Sequence, residues 1–339
     1  MDVSFLGGPQ PQRGIGVVAP FDFALDRELW RWMPDDISLR LTRTPYVPVE
    51  VSLDLARIVS EHETLGEAVR ALGASEPEVI AYACTSGSFV GGVVGERAMC
   101  EAMNTAGEVP SLTTSGALLE ALGELGAKRI ALVTPYTESV TDSLEEYLAE
   151  AGVAVTGRAF LGLTRHIWKV PYRSVVDMAR QAVVGAADAL FISCTNLPTY
   201  DAIPQLEAEL RMPVLSANQV TMWAALRRIG AHAVGPYQGL LLDRPSARRV
   251  PTLEGTGGIS GGSGIPENPL SGIPLPEGMP LAELDEIGEF SEIGDIPGIA
   301  EMGRMETVRR AQDVQPVQPG EWAQPSQPDP PTEEQEGWT

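Results

Sequence analysis

The chain has 339 residues, enough for two domains or for one domain with an appendage. Its 24 basic residues against 46 acidic ones give a net charge of −22, which argues against nucleic acid or an anionic membrane surface as partner. No apolar run of about 18 residues occurs, so no membrane-spanning helix is predicted. The opening MDVSFLGGPQPQRGIGVVAP lacks the basic start and long apolar stretch of a signal peptide. Three cysteines, an odd number in a long chain, predict free thiols in a reducing cytoplasm. His62, His166 and His232 are too scattered for a metal motif, and no metal is expected.

In chain order, GIGVVA (14–19), VIAYA (79–83), RIALVT (129–134) and ALFIS (189–193) are continuous apolar runs. Such runs mark parallel strands covered on both faces. Between the first two, Leu55, Ile58, Val59, Leu65, Val69 and Leu72 recur at helical spacing, and TESVTDSLEEYLAEAG (137–152) is a second helix with Gly152 as its stop. Strands alternating with helices over residues 1–244 define an α/β body. From Pro245 to Thr339 the composition changes, with 14 Pro and 14 Gly in 95 residues. At 17 acidic residues against 5 Arg, that stretch carries −12 of the charge. It is expected to be a disordered acidic tail, with LAELDEIGEFSEIGDIPGIAEMGRMETVRRA as its one candidate partner-binding segment. The tail's partner is left open, as is self-association into a homo-oligomer.

The body contains a repeat. Ala83-Cys84-Thr85 returns 110 positions later as Ser193-Cys194-Thr195, each at the end of an apolar run. Each is followed by a helical stretch and then a short strand opened by proline, Val109-Pro110-Ser111-Leu112-Thr113 and Met212-Pro213-Val214-Leu215-Ser216. A further helix ending in glycine follows in both halves, and Pro135-Tyr136 is matched by Pro236-Tyr237. Two similar α/β lobes are predicted. Parallel sheets bind ligands beyond the carboxyl ends of their strands, where both Cys-Thr pairs fall.

In AYACTSGSFVGG, Cys84 is followed by Thr85, Ser86, Gly87 and Ser88, a loop of hydroxyls and unhindered N–H groups. Such a loop at a helix start attracts anions and lowers a thiol pKa. ISCTNLPTYD gives Cys194 a similar setting, with Thr195 and Asn196 as donors, whereas Cys100 in GERAMCEAM reads as an ordinary helix residue. Tyr136 follows a strand and offers a phenol to a carboxylate; LTRHIWKVP, with His166, is a basic loop able to reach an anion. GGVVG (91–95) lacks the spacing and the Lys-Ser/Thr of a phosphate loop, so no cofactor is expected.

These motifs, with PSLTTSGALLEALGELGAKRIALVTPY and LPTYDAIPQLEAELRMPVLSAN, resemble the cofactor-independent Asp/Glu racemase superfamily, and within it the maleate cis–trans isomerase and arylmalonate decarboxylase branch. The similarity spans about residues 14–242 and none of the tail. It implies two flavodoxin-like lobes, related by pseudo-two-fold symmetry, that enclose a small carboxylic acid between two opposed cysteines. In that family racemases pass a proton from one thiol to the other across the substrate. Maleate isomerases add the first cysteine to a double bond, and the decarboxylases keep only the second as proton donor. Carried over, Cys84 is the first cysteine and Cys194 the second; Thr85 and Ser86 form the carboxylate cradle, with Tyr136 and Thr195 as further donors.

The chain also departs from the pattern. Where maleate isomerases read Pro-Ser-Ser-Asn, it has Pro20-Phe21-Asp22-Phe23, so that Phe21 and Phe23 are expected to form an apolar pocket wall. Thr164-Arg165-His166 stands where a second carboxylate-binding Asn is found in that family, and the decarboxylases have glycine in place of Cys84. The leading expectation is an isomerase or racemase of a small carboxylic acid. A decarboxylase of a substituted malonate and a non-catalytic carboxylate- or partner-binding protein are the alternatives. Because every motif precedes the tail, truncation after Arg244 is expected to leave the thermal transition and the activity nearly unchanged. A large loss of either would show that the body depends on the tail.

Overall fold

A computed structural model describes residues 12–234 and 239–242, all within the first of two units, Met1–Gly255 and Thr256–Thr339. Pro236-Tyr237 and the tail segments named above lie outside the described residues. The first lobe runs β1 (Arg13–Ala19), α1 (Asp26–Trp30), β2 (Ile37–Arg43), α2 (Leu53–Ile58), α3 (His62–Gly73), β3 (Val79–Tyr82), α4 (Thr85–Phe89), α5 (Gly92–Gly107), β4 (Ser111–Thr113) and α6 (Thr114–Leu125). The second runs β5 (Arg129–Thr134), α7 (Glu138–Glu150), β6 (Ala154–Phe160), α8 (Tyr172–Ala182), β7 (Ala189–Ile192), α9 (Ile203–Leu210), β8 (Val214–Ser216) and α10 (Ala217–Arg228).

Each lobe has a parallel four-stranded sheet, in the order β2-β1-β3-β4 and β6-β5-β7-β8. The repeat read in the sequence is thus a repeat of topology. It extends to the helix caps. Thr113 ends β4 and its hydroxyl accepts from Gly116 N at 3.0 Å to open α6. Ser216 ends β8 and opens α10 with a reciprocal capping box to Gln219. After each of these helices a glycine turns left-handed, Gly126 at φ 68° and Gly230 at φ 68°, a conformation in which a Cβ is strained.

The apolar runs are buried as expected: β3 and β7 are inaccessible along their whole length because helices cover both faces. One core crosses both lobes, from Ile15, Val17 and Ala81 to Leu132 and Phe191, and α6 packs against α10 at the junction. The periodic stretch from Leu55 to Leu72 differs from the sequence reading. It is two helices, because the chain turns at Val59–Glu61 between α2 and α3. The turn lets α2 leave the flank of the sheet. Among the described residues, no helix is long and apolar enough to cross a membrane.

Glu28 locks the lobes together. Its buried carboxylate on α1 accepts from Thr199 N at 3.1 Å, Thr199 Oγ1 at 2.7 Å and Asn218 Nδ2 at 3.1 Å, all in the second lobe. Burial holds this carboxyl above its usual range, and the three donors offset part of that cost. Glu28→Ala strands all three donors and is expected to destabilise the fold by about 3 kcal/mol. Glu28→Gln, which keeps an acceptor, should cost less in the same denaturant titration. Equal midpoints for the two variants would remove the hydrogen-bonding explanation.

Candidate active site

The carboxyl ends of β1, β3, β5 and β7 converge on a cavity of about 40 Å³, room for a few water-sized atoms. Its walls bring together Pro20 and Asp22 after β1, Cys84, Thr85 and Ser86 after β3, Tyr136 after β5, and Cys194, Thr195 and Asn196 after β7. The roof is α2 and its flanks, through Val51, Ser52, Leu55, Ala56 and Val59, with Ile167 beside them. The roof is held at both ends. Val51 N donates to Thr164 O at 2.9 Å, and the Tyr82 phenol donates to Val59 O at 2.7 Å.

Both repeated cysteines therefore line one cavity, but their local settings differ. Cys84 is extended and is the N-cap residue of α4, its Sγ accepting from Gly87 N at 3.4 Å. The Tyr82 phenol and Ser86 Oγ, at 3.9 Å, lie alongside. A Cβ at position 87 would collide with the Tyr82 hydroxyl and approach Cys84 Sγ to 3.2 Å, so glycine is required there. Cys194 has a positive φ of 85°, a strained conformation for a residue with a side chain. Its Sγ accepts from Asn196 N at 3.4 Å and lies beside the Tyr136 phenol.

The expected lowering of the thiol pKa does not occur. Burial pushes the Cys84 thiol up, and the Gly87 N–H and Ser86 offset only part of the shift. Burial pushes Cys194 up to about 12. Donors that favour a thiolate are present at both, but the loss of water outweighs them. Cys100 lies away from the cavity on α5, its thiol donating to Ser111 O at 3.1 Å.

Several expected site residues are placed otherwise. Phe21 and Phe23 do not line the cavity. Pro20–Phe23 is a tight turn closed by Phe23 N donating to Pro20 O at 3.1 Å, and it is Asp22 that this turn places in the cavity wall. Phe23 is buried in the core below Arg43, and Phe21 stands edge-on to Tyr46 at 5.3 Å. His166 is exposed on an outer groove, and its neighbour Ile167 reaches the cavity. Arg165 on the same loop is paired with Glu50, so the basic loop does not reach into the site. Thr195 lines the wall, but its hydroxyl already donates to Ala83 O at 3.1 Å. Thr85 is the opposite case: its buried Oγ1 lacks a hydrogen-bond partner among the described residues while lining the cavity. Among those residues, no cluster of three or more His, Cys, Asp or Glu could hold a metal ion.

Residues the sequence reading passed over include Tyr82, Asp22 as a wall residue, and the α2 roof. A phenol two positions before Cys84, inside an otherwise apolar strand, was a usable signal for Tyr82; nothing in the sequence marked α2 as a roof.

Duplicated parallel sheets with a small polar cavity at their carboxyl ends define an α/β enzyme that acts on small molecules. The family model for arylmalonate decarboxylase matches residues 55–242, and the chain belongs to the arylmalonate decarboxylase family. It is 34% identical over 186 residues to the arylmalonate decarboxylase of Bordetella bronchiseptica, covering 53% of this chain and 78% of that protein. It is 34% identical over 179 residues to the maleate isomerase of Nocardia farcinica, covering 50% and 71% respectively. Among solved structures, it is similar to a liganded double mutant of arylmalonate decarboxylase, with TM-score 0.64 and 30% identity over 68% of this chain and 99% of the other. A cysteine-to-serine mutant of the Nocardia farcinica maleate cis–trans isomerase carries a covalently bound succinylcysteine intermediate. It matches with TM-score 0.62 and 26% identity over 68% of this chain and 98% of the other.

Asn196 fixes the wall that carries Asp22: its Nδ2 donates to Asp22 O at 2.9 Å and its Oδ1 accepts from Ala24 N at 3.0 Å. Asn196→Ala is expected to cost about 1–3 kcal/mol and to raise the hydrogen-exchange rate of Ala24. Unchanged exchange there would show that the loop is held by other contacts.

Proposed function

We propose that the chain is a cofactor-independent isomerase or racemase of a small carboxylic acid, with Cys84 and Cys194 acting on opposite faces of the substrate. The observation that carries this reading is the pair of thiols lining one small cavity from equivalent strand ends of duplicated lobes. The covalent succinylcysteine seen in the Nocardia farcinica relative supports cysteine chemistry in such a cavity. We take the acid to be held by Thr85 Oγ1, which is buried without a partner among the described residues, by Ser86, and by the Tyr136 phenol. Thr195 contributes through wall shape, since its hydroxyl is engaged.

The two thiols are suited to different parts. Two donors face the Cys84 thiolate, the Gly87 N–H and the Ser86 hydroxyl, and Cys84 also caps the N-terminus of α4, so Cys84 acts as base or nucleophile. Cys194, held near 12, stays protonated and acts as acid. In racemisation the Cys84 thiolate removes the α-proton, leaving a planar enediolate, and the Cys194 S–H delivers its proton to the other face. With an unsaturated acid, the Cys84 thiolate adds to one alkene carbon while the Cys194 S–H protonates the other; the resulting single bond rotates, the Cys194 thiolate takes the proton back, and the Cys84 thiolate leaves as the double bond re-forms. The three cysteines are unpaired, in keeping with a reducing cytoplasm. The catalytic body is 1–244, with 245–339 as an acidic appendage.

A decarboxylase of a substituted malonate is the second reading, favoured by the Thr85-Ser86 hydroxyls beside the apolar roof of Val51, Leu55 and Val59. It needs only Cys194. Exchange of the α-hydrogen in D₂O with a chiral 2-arylpropionate, and CO₂ release from phenylmalonate, separate the two. Cys84→Ala and Cys194→Ala are each expected to lower exchange about 100-fold or more, with Cys100→Ala near wild type. CO₂ release without exchange would overturn the isomerase reading.

The pH dependence has a definite sign. With Cys84 raised by burial, its thiolate fraction is small at neutral pH and grows as pH rises. The kcat/KM for exchange should therefore climb through the alkaline range, above the ordinary thiol value of about 8.5. A profile already flat below that value would contradict Cys84 as the base.

A further inference from the structure

We propose that Asp22 determines the specificity of the cavity, admitting acids with a single carboxylate and turning away dicarboxylates of the same size. This rests on the reading of the cavity as a carboxylate site. Among the described residues that line it, Asp22 is the only one with a formal charge; the rest are thiols, hydroxyls, one amide and apolar side chains. It lines the same small cavity as both thiols.

Asp22 also occupies the collar of the site. Together with Val51 and Leu55 it lines both the inner cavity and the outer groove formed by Tyr46, Glu50, Arg165 and Trp168. The edge shared by groove and cavity is thus formed by one carboxylate and two apolar side chains. The cation of that groove, Arg165, is paired with Glu50 and so is not the counter-ion of Asp22. The backbone carrying Asp22 is pinned by the two Asn196 hydrogen bonds, which fixes the base from which the charge projects.

The cavity is small, so the two ends of a bound acid are close together. With one carboxylate on the Thr85 and Ser86 hydroxyls, a second on a four-carbon acid falls near Asp22. Val51, Leu55, Val59 and Ile167 line the same cavity, and such apolar walls screen like charges poorly. A methyl group meets no such repulsion, and a hydroxyl or ammonium group could donate to Asp22. Partial burial holds the Asp22 carboxyl above its usual range, in keeping with a site already short of compensating charge.

Butyrate and succinate test this, because they differ in one end group, methyl against carboxylate. Each is titrated, in mildly alkaline buffer where a carboxyl is ionised, as a protectant of Cys84 and Cys194 against iodoacetamide, with labelling read by peptide mass spectrometry. Wild type is expected to be protected by butyrate at about tenfold lower concentration than by succinate. Asp22→Asn and Asp22→Ser should both reduce that ratio about tenfold. Thermal transitions check that the variants fold, and the serine variant decides if the asparagine variant does not. Protection by both acids with an unchanged ratio in the variants overturns the role of Asp22 and leaves the carboxylate site standing. Protection by neither acid in any of the proteins overturns both.

Discussion

The hydroxyl of Thr195 donates to the carbonyl of Ala83, and through that bond the loop after β7 is tied to the residue that precedes Cys84. Each cysteine is the second residue past a buried parallel strand, so its position is set by a sheet that cannot shift without breaking its ladder. The Thr195 bond and the Glu28 clamp then set one sheet end against the other. Once these are made, the two thiols must share a cavity. The remaining walls are whatever the ends of β1 and β5 supply, which explains why a residue three positions past β1 and one two positions past β5 meet at the same space.

Burial is what makes this cavity chemically unusual. A thiol with N–H and hydroxyl neighbours in water would ionise readily, yet here the same neighbours only moderate a rise. The cost of the thiolate is therefore carried by the protein until a substrate or an alkaline medium changes the balance. The asymmetry of the two settings supports a division of labour. Cys84 caps a helix in an extended conformation, whereas Cys194 caps none and is held in a strained one.

The roof joins stability to access. α2 is anchored through Val51 to the second lobe and through Val59 to Tyr82, the residue that also packs against Cys84. Any opening of α2 therefore disturbs the phenol beside the first thiol. Asp22, shared by the cavity and the outer groove, links the same opening to the charge of what enters.

The sequence by itself determined the parallel α/β class, the duplication, the strand ends that carry Cys84 and Cys194, and the separation of Cys100 from them. These are local matters: a strand covered on both faces must be apolar throughout, and a repeat leaves the same punctuation twice. The tertiary structure alone decided which side chains face the cavity. Phe21, Asp22 and Phe23 are adjacent, and only the direction of the loop after β1 turns the carboxylate inward and the rings away. Likewise His166 and Ile167 exchange the parts expected of them because of a single left-handed residue. The helical period of residues 55–72 carried no sign that α2 breaks away at Val59 to become a roof, since its apolar face is needed equally in either position. The thiol pKa depended on the same missing information, because burial is a property of everything packed around a residue and not of its neighbours in the chain.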